Sequence, residues 1–167
     1  LRSHCGGLIA PESDTNAWHY KISWSPRNIV TAGSAGAVYR KHKEAVQVPY
    51  QQIFSSGGKI DFPSLGSLSY YPNRDSLSYI SLYGLQKTND FIPTTFRYSD
   101  FCSGWQLLIE AGLCSNESQF DTDRLTITEF LQKGFSPNNT PVDSFIIIQL
   151  LQELGRFDNQ PLTKIFV

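Results

Sequence analysis

Residues 67–76, SLSYYPNRDS, join an alternating segment to a polar turn. The alternation of small polar and bulky residues over 67–71 predicts a β-strand, and Pro72 marks its end. The polar residues after Pro72 can both turn the chain and cap a helix from Ser76 onward. A strand that leads through a turn into a helix indicates a domain in which strands and helices are mixed.

Further strands and helices are predicted on both sides of this stretch. Alternation and β-favouring residues predict strands at 45–48 and 91–98. Capping residues and terminal glycines predict helices at 25–39, 100–111, 126–133 and 141–154. The cations at 40–43 would then close the first helix, where they complement its dipole. This order predicts an α+β domain, with one mixed or antiparallel sheet and helices packed on one face.

The composition limits the classes of protein to which the chain can belong. Its 167 residues suit a single domain, and 40% hydrophobic with only 17% charged residues indicates a globular protein. The sparse charge fits either a face that packs against another domain or simply a large core. A net charge of −1 argues against nucleic-acid binding through a basic surface.

The cysteines and the apolar segments indicate where the protein works. Three cysteines without paired spacing, Cys5, Cys102 and Cys114, argue against a disulfide framework or a zinc site and favour the reducing cytoplasm. The longest apolar stretch, within 145–151, is too short to span a membrane.

Two features suggest that the chain is a domain of a larger protein. It starts at Leu1 without an initiator Met, and we expect it to be a fragment. Gly33 and Gly36 lie inside a helical pattern instead of following a strand, so we expect no dinucleotide binding of the Rossmann type by this chain alone.

Two N-terminal segments are candidates for a ligand site. Cys5, Gly6 and Gly7 would let the backbone approach a ligand closely, although a plain turn explains them equally well. Lys21 and Arg27 flank a predicted helix start, where a carboxylate or phosphate is commonly bound. The alternative is that both are solvated surface charges.

A third candidate lies in the polar turn that follows Pro72. Arg74 there, and Arg97 downstream, could each pair with a carboxylate, while Asn73 and Asp75 could bind an amino group. The alternative is a structural network in which Arg74 and Asp75 only brace the turn.

Four segments of the chain form an ordered set: CGGL followed by APE (5–12), KISWSPR (21–27), YPNRDSLSY followed by YGL (71–85), and TFRYSDFC (95–102). Together they resemble motifs of the saccharopine dehydrogenase family of the glutamate-forming type. Any one of these would be weak, but four in the same order with similar gaps are specific.

The resemblance implies a fold, a reaction and a set of partners. In that family a Rossmann domain binds NADP or NAD, and a second domain, similar to the C-terminal domain of glyceraldehyde-3-phosphate-dehydrogenase-like enzymes, supplies much of the amino-acid site and a dimer surface. The chain looks like this second domain over 1–167, with no cofactor bound by it alone. The enzyme would interconvert saccharopine with L-glutamate plus 2-aminoadipate 6-semialdehyde in lysine metabolism.

The resemblance also implies site residues, whereas it assigns no catalytic acid or base. The substrate would be bound by three segments and one further arginine: Cys5, Gly6 and Gly7; Lys21 and Arg27; Asn73, Arg74 and Asp75; and Arg97. The alternative function is a stand-alone amino-acid-binding or dimerisation module without catalysis.

Overall fold

A computed structural model of the chain describes residues 1–21, 35–110, 114 and 126. These residues form six strands, two α-helices and two short 3-10 helices. The strands are β1 (Arg2–Cys5), β2 (Ala37–Lys41), β3 (Glu44–Val48), β4 (Gly58–Phe62), β5 (Gly66–Pro72) and β6 (Ile92–Tyr98). The α-helices are α1 (Ser78–Leu82) and α2 (Ser99–Glu110), and the 3-10 helices are Pro11–Ser13 and Tyr50–Gln52.

Four of the strands form a mixed sheet in the order β1-β6-β5-β4. β1 runs parallel to β6, whereas β6 with β5 and β5 with β4 are antiparallel. β2 and β3 form a separate antiparallel hairpin, and α2 packs against β5 and β6. The predicted α+β class and mixed sheet are therefore confirmed, with the hairpin as an addition to the single predicted sheet.

Several predicted elements are confirmed by the structure. β3, β5 and β6 occupy the three predicted strand positions, and α2 occupies the predicted helix as far as Glu110. The helix after the polar turn begins at Ser78, where the backbone N–H donates to Asp75 Oδ1 over 3.2 Å. The helices predicted at 126–133 and 141–154 lie outside the described residues.

The prediction of a helix over 25–39 is wrong at its C-terminal end, and residues 25–34 lie outside the described part of the chain. Residues 37–41 form β2, whose Val38 N–H donates to Arg74 O over 2.6 Å. Gly36 is not a helical glycine, since it has a φ of +71° and its Cβ would lie 2.5 Å from Val48 O. The cations at 40–43 turn the β2–β3 hairpin, with positive φ at His42 and Lys43.

The core lies between α2 and the sheet. Trp18, Phe101 and Cys102 form one buried cluster, and Ala37, Val48 and Ile53 form a second. Two half-buried aromatic residues, Phe54 and Tyr71, pack against both clusters. Within the described ranges, no helix is long and apolar enough to cross a membrane.

Candidate functional site

A cavity of about 660 Å³ opens beside the end of β5. Its wall combines the turn at 73–76 with side chains from β6, α1 and α2. The aromatic part of the wall consists of Tyr20, Phe54, Tyr71, Tyr79, Tyr83, Phe91, Phe101 and Trp105. Such a mixture of an apolar wall with a few polar groups is typical of sites for small molecules.

Arg97 is the half-buried cation of this cavity. Its Nη1 donates to Gly7 O over 3.1 Å and to Phe96 O over 2.8 Å. The guanidinium carbon lies 5.3 Å from the centroid of the Tyr20 ring and 5.7 Å from that of Phe101, within the range of cation–π contacts.

The charge of Arg97 has no acidic partner among the residues that the structure describes. No carboxylate oxygen there lies within 4.0 Å of the guanidinium nitrogens, and the buried Nε makes no hydrogen bond. The desolvation of a half-buried charge without a counter-ion is only partly offset, and a bound anion would offset more of it. Arg97 is therefore suited to bind a carboxylate.

The turn at 73–76 is held from two sides. Asn73 N–H donates to Pro93 O over 3.0 Å, and its Oδ1 accepts from Thr95 Oγ1 over 2.7 Å. On the β2 side, Ser76 N–H donates to Val38 O over 2.9 Å. The backbone that carries Arg74 is thus fixed, which limits the entropy its side chain loses when it binds a ligand.

Asp75 accepts hydrogen bonds at the start of α1. Hydrogen bonds from the side chain and backbone of Ser78 lower the pKa of this carboxyl. No ion pair joins Asp75 to Arg74. This argues against the interpretation in which the two side chains brace the turn together.

Tyr71 contributes a neutral phenol to the cavity wall. Burial raises its pKa to about 12, although the nearby Arg97 and a hydrogen bond with Thr95 oppose the shift. Tyr71 therefore stays protonated near neutral pH, where it can donate or accept a hydrogen bond but is a poor base.

The structure brings together four of the nine predicted site residues. Asn73, Arg74, Asp75 and Arg97 line the cavity. Four others do not line it: Cys5 is exposed at the end of β1, Gly6 and Gly7 follow it, and Lys21 is exposed next to Tyr20. The ninth, Arg27, lies outside the described residues.

The aromatic wall was not predicted from the sequence. Tyr20 and Tyr71 each adjoin a predicted polar cluster, and this adjacency was the available signal. Among the described residues, no group of three or more His, Cys, Asp or Glu side chains could hold a metal ion.

A solved structure resembles the chain in fold. Apo histidine-tagged saccharopine dehydrogenase (L-Glu forming) from Saccharomyces cerevisiae superposes with a TM-score of 0.73 at 24% identity. The match covers 96% of this chain and 41% of the yeast chain.

Two curated relatives are similar in sequence. The saccharopine dehydrogenase [NADP(+), L-glutamate-forming] of Pyricularia oryzae is 32% identical over 118 residues, which are 70% of this chain and 26% of that protein. The mitochondrial alpha-aminoadipic semialdehyde synthase of Mus musculus is 35% identical over 118 residues, 70% of this chain and 13% of the relative. The chain thus spans about a quarter or less of the length of these relatives.

The sequence model of the saccharopine dehydrogenase C-terminal domain matches residues 1–165. This match includes all four motifs singled out in the sequence, as well as every residue that lines the cavity. The chain therefore belongs to the saccharopine dehydrogenase C-terminal domain family.

Proposed function

We propose that the chain is the substrate-binding domain of an NAD(P)-dependent oxidoreductase of lysine metabolism. The enzyme interconverts saccharopine with L-glutamate plus 2-aminoadipate 6-semialdehyde. The names of the relatives from Pyricularia oryzae and Mus musculus support this reaction. The observation that carries the proposal is Arg97, a half-buried cation in an aromatic cavity with no carboxylate partner in the described ranges.

The cavity binds the charged groups of the amino-acid substrate. Saccharopine has three carboxylates and two nitrogens, and a planar guanidinium can bind a carboxylate through two parallel hydrogen bonds. Arg97 and Arg74 each bind one carboxylate, while Asn73 and Asp75 bind an amino group. The position of all four residues on one cavity supports this assignment.

The cofactor is bound by a separate Rossmann domain of the same polypeptide. NADP(+) in the name of the Pyricularia oryzae relative favours NADP over NAD. Tyr83 is 62% and Leu82 70% exposed beside the cavity, and such exposed apolar side chains support contact with another domain. In this proposal the isolated chain binds no dinucleotide, which calorimetric titration with NADPH tests.

The domain has two further properties in this proposal. It forms a homodimer, the commonest symmetric assembly, and sedimentation that gives only monomer at high concentration would contradict this. It also resembles the C-terminal domain of glyceraldehyde-3-phosphate-dehydrogenase-like enzymes, which the packing of α2 against β5 and β6 supports. A cytoplasmic location is retained as a prediction, although the mouse relative is mitochondrial.

The test replaces Arg97 and Arg74 separately by Lys in the full-length protein. Lys keeps the charge but loses the paired hydrogen bonds, so each change should cost about 1.5–3 kcal/mol, or a loss of about 10- to 150-fold in kcat/KM for saccharopine. Arg2→Lys, on exposed β1 away from the cavity, is the matched control. If Arg97→Lys and Arg74→Lys lower the Tm and leave the KM for saccharopine unchanged, neither arginine binds substrate.

A further inference from the structure

Gly6 lies directly after β1, where the backbone passes very close to β6. Cys5 pairs with Thr95 in the parallel register, so the chain after Cys5 runs beside Phe96. A Cβ on Gly6 would lie 2.4 Å from Phe96 O and 2.9 Å from Phe96 Cβ. Because the carbonyl belongs to a central strand, any side chain at Gly6 forces the two backbones apart.

The same carbonyl holds Arg97. Phe96 O and Gly7 O are the two acceptors of Arg97 Nη1, at 2.8 and 3.1 Å. One acceptor therefore comes from β6 and the other from the segment after β1. Their separation depends on the close approach that Gly6 allows, which makes the orientation of the guanidinium depend on Gly6.

We infer that Gly6 and Gly7 are positioning residues, which orient the Arg97 guanidinium for the substrate carboxylate through the carbonyls of Gly7 and Phe96. The inference rests on the proposed function of the cavity. It explains how two glycines that do not line the cavity contribute to binding. With Nη1 fixed by two carbonyls and the plane held against Tyr20 and Phe101, little rotamer entropy remains to be lost on binding.

The test uses Gly6→Ala in the full-length protein, with KM values for saccharopine and for the nicotinamide cofactor. Misorientation of Arg97 should raise the KM for saccharopine about tenfold, the effect of one lost hydrogen bond to a charged group, and leave the cofactor KM unchanged. Gly66→Ala is the matched control, since it strains a glycine with a φ of +73° at the start of β5, whereas its added Cβ meets nothing within 4 Å. It should change neither KM value.

A double variant separates positioning from general loss of structure. If Gly6 acts through Arg97, adding Gly6→Ala to Arg97→Lys should raise the KM for saccharopine by less than about twofold. A full additional tenfold increase, or an equal rise of both KM values in Gly6→Ala alone, would overturn the inference.

A second pair of variants keeps the test valid if Gly6→Ala does not fold. Tyr20→Leu removes the ring against which Arg97 lies, whereas Tyr20→Phe keeps it. We expect Tyr20→Leu to raise the KM for saccharopine and Tyr20→Phe to restore it, again without a further increase in the Arg97→Lys background. Equal effects of Leu and Phe would show that the KM for saccharopine does not depend on how the guanidinium is oriented, and would overturn the inference.

Failure of the inference can be told apart from failure of the proposed function. A wild-type protein that oxidises no saccharopine with NADP or NAD overturns the proposed function. Wild-type activity with an unchanged saccharopine KM in Gly6→Ala overturns the positioning role alone.

Discussion

Gly104 in α2 tests the packing that supports the cavity wall. It is buried, and a Cβ on it would lie 3.1 Å from both Cη2 and Cζ2 of Trp18. The indole is only 2% exposed and makes edge contacts with Phe101 and Trp105, at centroid distances of 6.3 and 5.5 Å. The ring therefore cannot move aside without displacing two residues that line the cavity.

The effect of Gly104→Ala is the sum of two opposing contributions. Alanine in place of glycine inside a helix stabilises by about 1 kcal/mol. An extra methyl group in a tightly packed core costs about 1–3 kcal/mol. Because two neighbours hold the indole of Trp18 in place, we expect a cost near the middle of this range, about 2 kcal/mol. We expect a net loss of about 1 kcal/mol, which lowers the Tm by about 2–4 °C in a chain of this size.

Thermal unfolding followed by circular dichroism measures this difference. Ser103→Ala is the matched control, because Ser103 is exposed in the same helix and its replacement should stabilise by a few tenths of a kcal/mol. If Gly104→Ala raises the Tm as Ser103→Ala does, Trp18 yields without cost and the description of a tightly packed wall is wrong.

Two further predictions follow from burial and from the pKa shifts. Cys5 is exposed, whereas Cys102 and Cys114 are buried and burial raises the pKa of the Cys102 thiol to about 12. A thiol reagent at neutral pH should therefore label Cys5 rapidly and the two buried cysteines slowly. Rapid labelling of a remaining cysteine in the Cys5→Ser variant would contradict this. Because the pKa of Asp75 is lowered from 3.8 on folding, its stabilising effect is present above that value and is lost as the pH falls through the lower folded pKa. The Tm difference between wild type and Asp75→Asn should therefore shrink on acidification, and a constant difference would refute the role of the Ser78 hydrogen bonds.

Local sequence signals predicted the elements whose pattern is complete within the element. Alternation located β3, β5 and β6, and capping residues located α2. β4 has the same signal, since Ile60 and Phe62 alternate with Lys59 and Asp61, but it was not predicted. Strand periodicity and helix capping are properties of neighbouring residues, so they can be read without the tertiary structure.

β1 has a partner that is distant in sequence, whereas β2 pairs with the adjacent β3 and also contacts the distant turn at 74–76. Arg2 pairs with Ile92 across the sheet, and Val38 N–H donates to Arg74 O. The helix predicted over 25–39 is wrong at its C-terminal end, since the pairing of residues 37–41 with β3 and the hydrogen bonds with residues 74–76 outweigh local helix preference. Such pairing energy depends on which segments meet in space.

The sequence by itself determined the α+β class, the family motifs and the arginines suited to bind carboxylates. Only the tertiary structure decided which of these residues share a cavity: it placed Arg97 between Tyr20, Phe101 and the carbonyl of Gly7, 90 residues earlier in the chain. It also separated Cys5 and Lys21 from the cavity lining. The reason is physical: the type of a side chain limits what it can bind, whereas its burial, its partners and its remaining hydrogen-bond donors are set by packing between distant segments.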